Sequence, residues 1–234
     1  YKHWFVDFEF PNDDGKPYKS SGGKMLYNEV LEKEIPVGWE DGVLGDLVDT
    51  INGYAFKSKD FADNGDMAII KIKNVVPPNI DITDTHYLKG NLTFELDRFI
   101  VSKGDILITM TGSGVNQMNS AVGQVGKYYE SKNSLLNQRV CKLEPEYKNI
   151  KEYVFQFISD KTTHIELLNG STGSANQANI SPTQIKTLIL IIPNKSILHK
   201  YQQAMNVFNA AKRVNNQQSL EKIKDLVLAK MSKL

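Results

Sequence analysis

An α+β fold, with a curved, mostly antiparallel sheet, small helices and one long closing α-helix, follows from three patterns in the chain. Between about residues 35 and 145, β-branched or aromatic runs (GYAF, MAIIKIKNV, RFIVSKGDILITMTG, SAVGQVGKYY, LLNQRVCKLEP) are divided by Gly, Asn and Pro. That is the punctuation of short strands joined by turns. From Ile150 to Leu168, Tyr153, Phe157, Ile158, Ile165 and Leu168 recur at helical spacing and predict one helix. From Ser196 to Leu234 there is neither Gly nor Pro, and Tyr201, Met205, Phe208, Ala211, Leu220, Ile223, Val227, Met231 and Leu234 step mostly by three or four residues. This marks a long amphipathic helix that forms a coiled coil.

Taken in order, residues 1 to 34 open with YKHWFVDFEFP and continue into NDDGKPYKSSGGK, whose Gly, Pro and Ser content predicts an irregular linker. The first domain proper begins near Ile35, where IPVGWE supplies a turn before an apolar segment. In MAIIKIKNV, Ile70 and Ile72 alternate with Lys71 and Lys73, predicting a strand with one apolar and one basic face. After the 150–168 helix comes GSTGSANQANIS (170 to 181), twelve small, mostly uncharged residues between apolar stretches. It is either a flexible linker or a segment whose amides and hydroxyls touch something. SPTQIKTLILIIP then predicts a helical turn, with Ser181 as N-cap and Pro182 at the first position, leading into a buried strand that Pro193 ends. The final helix would reach roughly 57 Å at 1.5 Å per residue. That exceeds what a domain of this size covers, so part of its apolar stripe meets a partner. Asn215, Asn216, Gln217 and Gln218 interrupt the stripe, either fixing a coiled-coil register or facing solvent.

Composition narrows the function. The chain has 234 residues, 41% hydrophobic and 24% charged, with a single cysteine, Cys141. That excludes an internal disulfide framework and a multi-cysteine zinc site, and points to a reducing cytoplasm. No run approaches the roughly 18 apolar residues of a membrane span, and no secretory leader opens the chain. It begins at Tyr1 rather than Met and reads as a piece of something longer. Net charge is +1; residues 197–234 carry +5, while residues 1–34 and 35–196 each carry −2. A slightly acidic body binds DNA only if its basic groups gather on one face.

Three motifs imitate catalytic ones. Asp14-Gly15-Lys16 is similar to part of a nuclease metal site, yet it sits in the linker without flanking strands. NVVPPN (74 to 79) is similar to the Asn-Pro-Pro-aromatic loop of DNA adenine methyltransferases, but two valines follow Asn74 and Asn79 stands where the aromatic belongs. TGSG (111 to 114) lacks phosphate-loop spacing and reads as a turn. His3, His86, His164 and His199 are scattered, without metal-ligand spacing. What does recur is the doublet Asn-Gln in loops: Asn116-Gln117, Asn137-Gln138 before Arg139, and Asn176-Gln177. Asn and Gln pair bidentately with adenine in the major groove and Arg with guanine. Amides and glycines also simply populate loops.

The order IPVGWEDGVLGDLVDTINGYAFKS, IIKIKNV, KGDILITMTGSG, VGQVG, LLNQRV, GSTGSANQANIS and a closing IIP before a long helix resembles one target recognition domain of a type I restriction-modification specificity subunit, from about Ile35 to Leu234. KHWFVDFEFPNDDGKPYKSSGG resembles the segment leading into the second recognition domain, which implies a C-terminal half or a half-length relative. The resemblance divides the chain into residues 1–34, the end of a preceding conserved region with its linker; 35–195, the recognition domain; and 196–234, the conserved helix. It implies no catalysis and no cofactor in this chain. Each recognition domain reads one half of a split duplex DNA target, and the long helices pair antiparallel with a second half-subunit or recognition domain. DNA adenine methyltransferase subunits use S-adenosylmethionine, and restriction subunits use ATP and Mg2+. The chain departs from the family at IIPNKSILHKY, where Asn194 replaces a second proline and His199-Lys200 stand in place of Glu-Gln; this bears on the helix start, not on the fold.

The expected DNA-facing set is Lys71, Lys73, Thr111, Ser113, Asn116, Gln117, Arg139, Thr172, Ser174, Asn176 and Gln177, with phosphates falling to the basic groups and bases mainly to the amides. Lys57, Lys59, Arg98 and Lys103 would have to gather beside them. Two other readings stay open: the recognition end of a fused restriction-methylation enzyme, and a scaffold that engages the methyltransferase without reading DNA.

Overall fold

The computed structural model describes residues 1–113, 120–174 and 177–211. In chain order the elements are α1 (Lys2–Phe5), β1 (Met25–Asn28), β2 (Lys33–Pro36), β3 (Glu40–Val43), β4 (Val48–Asn52), β5 (Phe61–Ala62), β6 (Ala68–Ile70), β7 (Val75–Val76), β8 (Asn79–Ile80), β9 (His86–Leu88), β10 (Ile100–Val101), β11 (Ile106–Thr109), β12 (Thr111–Gly112), β13 (Val125–Lys127), β14 (Ser134–Leu136) and β15 (Val140–Pro145). There follow α2 (Lys151–Ile158), α3 (Lys161–Asn169), β16 (Thr172–Ser174), β17 (Gln177–Asn179), α4 (Pro182–Lys186), β18 (Ile189–Ile192) and a helix, α5, over residues 195–211.

Two sheets form the body. One has six strands in the order β4-β15-β11-β13-β8-β7, the other five in the order β10-β14-β6-β9-β5. Pairing is antiparallel except for β6 with β14 and β8 with β13. β11 shows why its sequence, ILIT, is apolar almost throughout. Ile106 and Ile108 face a core built with the helices, whereas Leu107 faces a second core with Tyr128, next after β13, and with Ile70 and Leu136 of the five-stranded side. A strand buried on both faces loses the polar half of its alternation.

The helical layer covers the first of these faces and draws in the N-terminal aromatics. Phe5, Phe8 and Phe10 are all buried. Phe5 meets the rings of Tyr153 and Tyr201 edge-on at 4.7 and 4.8 Å, and Phe10 stacks on Trp39 at 4.8 Å. The segment after them is irregular, as expected. Asn12 Oδ1 accepts from the amides of Asp14 and Lys16, and Gly15 has a φ of +76°, so Asp14-Gly15-Lys16 is a turn built on Asn12.

Four local expectations are corrected. The single helix over 150–168 is two, because Asp160 takes an extended backbone and its carboxylate accepts from the Thr162 amide at 2.9 Å, starting α3 afresh. The strand through MAIIKIKNV stops at Ile70. Asn74, buried, accepts from the Lys71 amide at 2.8 Å and donates to the carbonyls of Asp81 and Asp84, curling residues 72–74 into a 3-10 turn. Lys71 and Lys73 therefore do not share a strand face. Thr111-Gly112, read as a turn, is the strand β12 paired with β17. GYAF contributes only an isolated bridge from Tyr54 to Asn137.

The segment from Ser181 follows its local code. The Ser181 hydroxyl accepts from the Gln184 amide at 3.1 Å with Pro182 opening α4, and β18 ends before Pro193. Asn194, the departure noted above, caps α5 by accepting from the Ile197 amide at 3.0 Å. Ile197, Leu198 and Tyr201 seat α5 in the core, while Val207 and Phe208 are exposed. The rest of the apolar stripe, with Asn215 to Gln218, lies outside the described residues.

Candidate nucleic-acid interface

One end of the sandwich collects most of the expected DNA-facing residues. β4 and β11 finish there, and β15 starts there, because β15 pairs antiparallel with both. From the other sheet, the parallel strands β6 and β14 also finish there. The turn 137–139 joins β14 to β15 and so bridges the two sheets.

The two Gly-Ser segments meet at this end. GSTGSANQANIS supplies β16 and β17, which pair antiparallel, and β17 also pairs with β12 to give a three-stranded sheet in the order β12-β17-β16. Gly173 has a φ of +136°, and a Cβ there would lie 2.0 Å from the Gln177 carbonyl oxygen, so the pairing of β16 with β17 requires glycine. Met110 ties this small sheet to the body, donating to the Arg139 carbonyl and accepting from the Ile180 amide, both at 2.9 Å.

The individual side chains fare differently. Thr111 is buried and its hydroxyl donates to Asn179 Oδ1 at 2.9 Å, so it braces the sheet and offers no contact outward. Thr172 of β16 and Gln177 of β17 are exposed, and Ser113 is half-buried after β12. Asn116, Gln117, Asn176 and the side chain of Ser174 lie outside the described residues. Lys71 follows β6, with its ammonium 3.8 Å from the centroid of the Phe61 ring and 3.2 Å from His86 Nδ1. Partial burial, and then the charge of Lys73, lower its pKa. Lys73 pairs with Asp84 at 2.7 Å, which holds the Asp84 carboxyl below its ordinary range. Arg139 is exposed and forms no ion pair among the described residues.

One other basic group, Arg98, does stand here. Tyr54, Phe56 and Phe99 form an aromatic cluster beside the turn, with Arg98 over Phe99 at 5.0 Å, and Lys57 and Lys59 are exposed between Phe56 and Phe61. Lys103 does not join them. It lies at the opposite end of β11, beside a cleft of about 450 Å³ with Lys127, Lys148, Lys151, Gln202 and Asn206. There Lys127 of β13 makes a buried ion pair with Glu152 of α2, whose amide donates to Gln202 of α5 at 2.9 Å. The expected DNA-facing set also omits Gln138, although LLNQRV carried the signal: an Asn-Gln doublet followed at once by arginine between two apolar strands.

Among the described residues no group of three His, Cys, Asp or Glu side chains could hold a metal ion. No helix there is long and apolar enough to cross a membrane. What the end of the sandwich presents is amide, hydroxyl and cationic chemistry on a rigid double sheet, the chemistry with which a protein reads duplex DNA.

The fold and this surface define a DNA specificity domain. The family model described as type I restriction modification DNA specificity domain matches residues 36–225, and the chain belongs to that family. The type I restriction enzyme MjaIX specificity subunit of Methanocaldococcus jannaschii is 23% identical over 239 residues, covering 99% of this chain and 50% of that protein. The EcoAI specificity subunit of Escherichia coli is 27% identical over 103 residues, covering 44% of this chain and 17% of that protein. The chain thus spans about half the length of its M. jannaschii relative. The crystal structure of a type I restriction-modification S subunit from M. genitalium shares the fold, with a TM-score of 0.50 and 19% identity over 86% of this chain and 45% of that one.

Proposed function

We propose that this chain reads one half of a bipartite duplex DNA target through the end of the sandwich that carries Arg139, β12 and the strands β16 and β17. It is a non-catalytic subunit acting in the cytoplasm. DNA adenine methyltransferase subunits, with S-adenosylmethionine, and restriction subunits, with ATP and Mg2+, supply the chemistry. α5 and its continuation pair with the helix of a second half-subunit or recognition domain, a role to which the exposed Val207 and Phe208 are suited.

The observation that carries the reading is the joining of two Gly-Ser segments, about sixty residues apart, into one sheet beside the turn that bears Arg139. A linker has no reason to be paired on both sides. The decisive experiment is methylation mapping of DNA from cells carrying the intact system, with and without this chain. A split adenine-methylation motif that disappears with the chain is expected; a methylation pattern indifferent to the chain overturns the reading. Purified alone, the chain should bind duplex DNA weakly and with a steep salt dependence, since phosphate contacts supply most of the affinity of a half-site reader. Nanomolar sequence-specific binding by the monomer in moderate salt would contradict the split-target arrangement.

A further inference from the structure

We infer that the turn Asn137–Gln138–Arg139 is a preorganised base-reading element, in which Arg139 takes a guanine and Gln138 an adenine in the major groove. The inference rests on the DNA-reading function proposed above and changes the role of Arg139 from phosphate contact to base contact.

The argument starts from the backbone of the turn. Asn137 donates to the Ile70 carbonyl and Gln138 to the Tyr54 carbonyl, each at 3.0 Å. The Asn137 carbonyl accepts from Val140 and the Arg139 carbonyl from Met110, each at 2.9 Å. Tyr54 donates to Leu136 at 2.8 Å, and Gly53 to Val140 at 3.2 Å. The turn is therefore tied to the ends of β6 and β11 and to the segment after β4, which belong to both sheets. Gly53 lies against it so closely that a Cβ would stand 2.1 Å from the Asn137 carbonyl oxygen. Little backbone freedom is left.

Its side chains are free by contrast. Gln138 and Arg139 are exposed, and neither has a side-chain partner among the described residues. The other candidates at this end are differently placed. Thr111 is taken up by Asn179, Lys71 by Phe61 and His86, and Lys73 by Asp84. A guanidinium fork on a fixed backbone suits guanine O6 and N7, and a glutamine amide suits adenine N6 and N7. Fixing the backbone in advance removes an ordering cost from binding and makes the geometry selective. Lys57, Lys59 and Arg98, outside this hydrogen-bonded turn, are left to the phosphates, which need charge more than fixed geometry.

The test is the methylation motif of the intact system carrying Arg139→Ala, Arg139→Lys or Gln138→Ala, with the affinity of each purified chain for non-target duplex measured alongside. Arg139→Ala should relax one guanine position of the target by roughly 5- to 150-fold, leaving the other positions unchanged. Arg139→Lys should relax the same position while keeping non-target affinity, because it retains charge and loses the fork. Gln138→Ala should relax one adenine position. A motif left intact by Arg139→Lys, or weakened evenly at every position by Arg139→Ala, overturns the inference and makes Arg139 a phosphate contact. An unsubstituted system whose methylation does not depend on this chain would remove the DNA-reading function itself, an outcome distinct from an intact motif that ignores the substitutions.

Discussion

Replacing Glu152 by Ala tests whether β13 and α2 are held together by a buried charge pair. The Lys127 and Glu152 side chains are 6% and 7% exposed, and the Lys127 ammonium also lies 5.0 Å from the Phe155 ring centroid. Removing one partner of such a pair costs about 3–5 kcal/mol, because the other charge stays buried without compensation. Here the backbone amide of residue 152 keeps Gln202 as its partner, so the lower end, about 3 kcal/mol, is expected. Asn209 also loses its contact with Glu152 Oε1, which loosens the outer turns of α5. Urea unfolding should show the loss as a lower midpoint at unchanged slope, with a melting temperature reduced by roughly 6–12 °C. The double substitution Lys127→Met with Glu152→Met should return to within about 1 kcal/mol of the parent, since it removes both charges and keeps the volume. A loss below about 1 kcal/mol for Glu152→Ala would mean that the pair behaves as a solvated surface contact and does not fasten the two parts. A double variant as unstable as the single one would assign the effect to packing instead of charge.

Phe5→Ala should lower unfolding free energy by about 3–5 kcal/mol in the same assay, because the ring is buried against Trp39, Tyr153 and Tyr201; a loss under about 1 kcal/mol would show that the N-terminal aromatics are dispensable. Alkaline pH should destabilise the fold. Burial pushes the Cys141 thiol up to about 12 and raises the Tyr153 and Tyr201 hydroxyls as well. The folded state then keeps protons that the unfolded chain releases, so stability is complete below about pH 8.5 and falls above it, by up to about 1.4 kcal/mol per pH unit for each titrating group. Melting temperatures measured from pH 7 to 10.5 should fall accordingly, and a flat profile would contradict the burial. Asp160→Ala should cost about 1 kcal/mol and raise amide exchange at Thr162, since it removes the cap that separates α3 from α2; unchanged exchange would show that the break does not depend on the carboxylate.

Where local chemistry suffices, the sequence was readable. Ser181 with Pro182, and Pro193 after β18, stand where their capping and breaking properties require. The apolar runs KGDILIT and LLNQRVCKL do become strands of the two sheets. Misreadings arose where a short polar side chain could satisfy the backbone in more than one way. Asp160 divided a helix whose apolar periodicity ran on without interruption, and Asn74 ended a strand whose alternation looked sound. Neither competition shows in periodicity, because it is decided by whether one side-chain oxygen reaches an amide two or three residues on.

The candidate interface divides in the same way. The sequence by itself determined which chemistry was on offer: Asn-Gln doublets, Gly-Ser segments, scattered cations, and a long helix with one apolar stripe. Only the tertiary structure decided which of these stand together, because the pairings of β12 with β17, β14 with β6 and Tyr54 with Asn137 join segments far apart in the chain. It moved Lys103 to the opposite end and turned Thr111 inward. It also raised 137–139 from one loop among several to the joint between two sheets. The physical reason is that caps and turns are fixed by neighbours along the chain, whereas register between distant strands is fixed by the faces they bury together, and no local pattern encodes that choice.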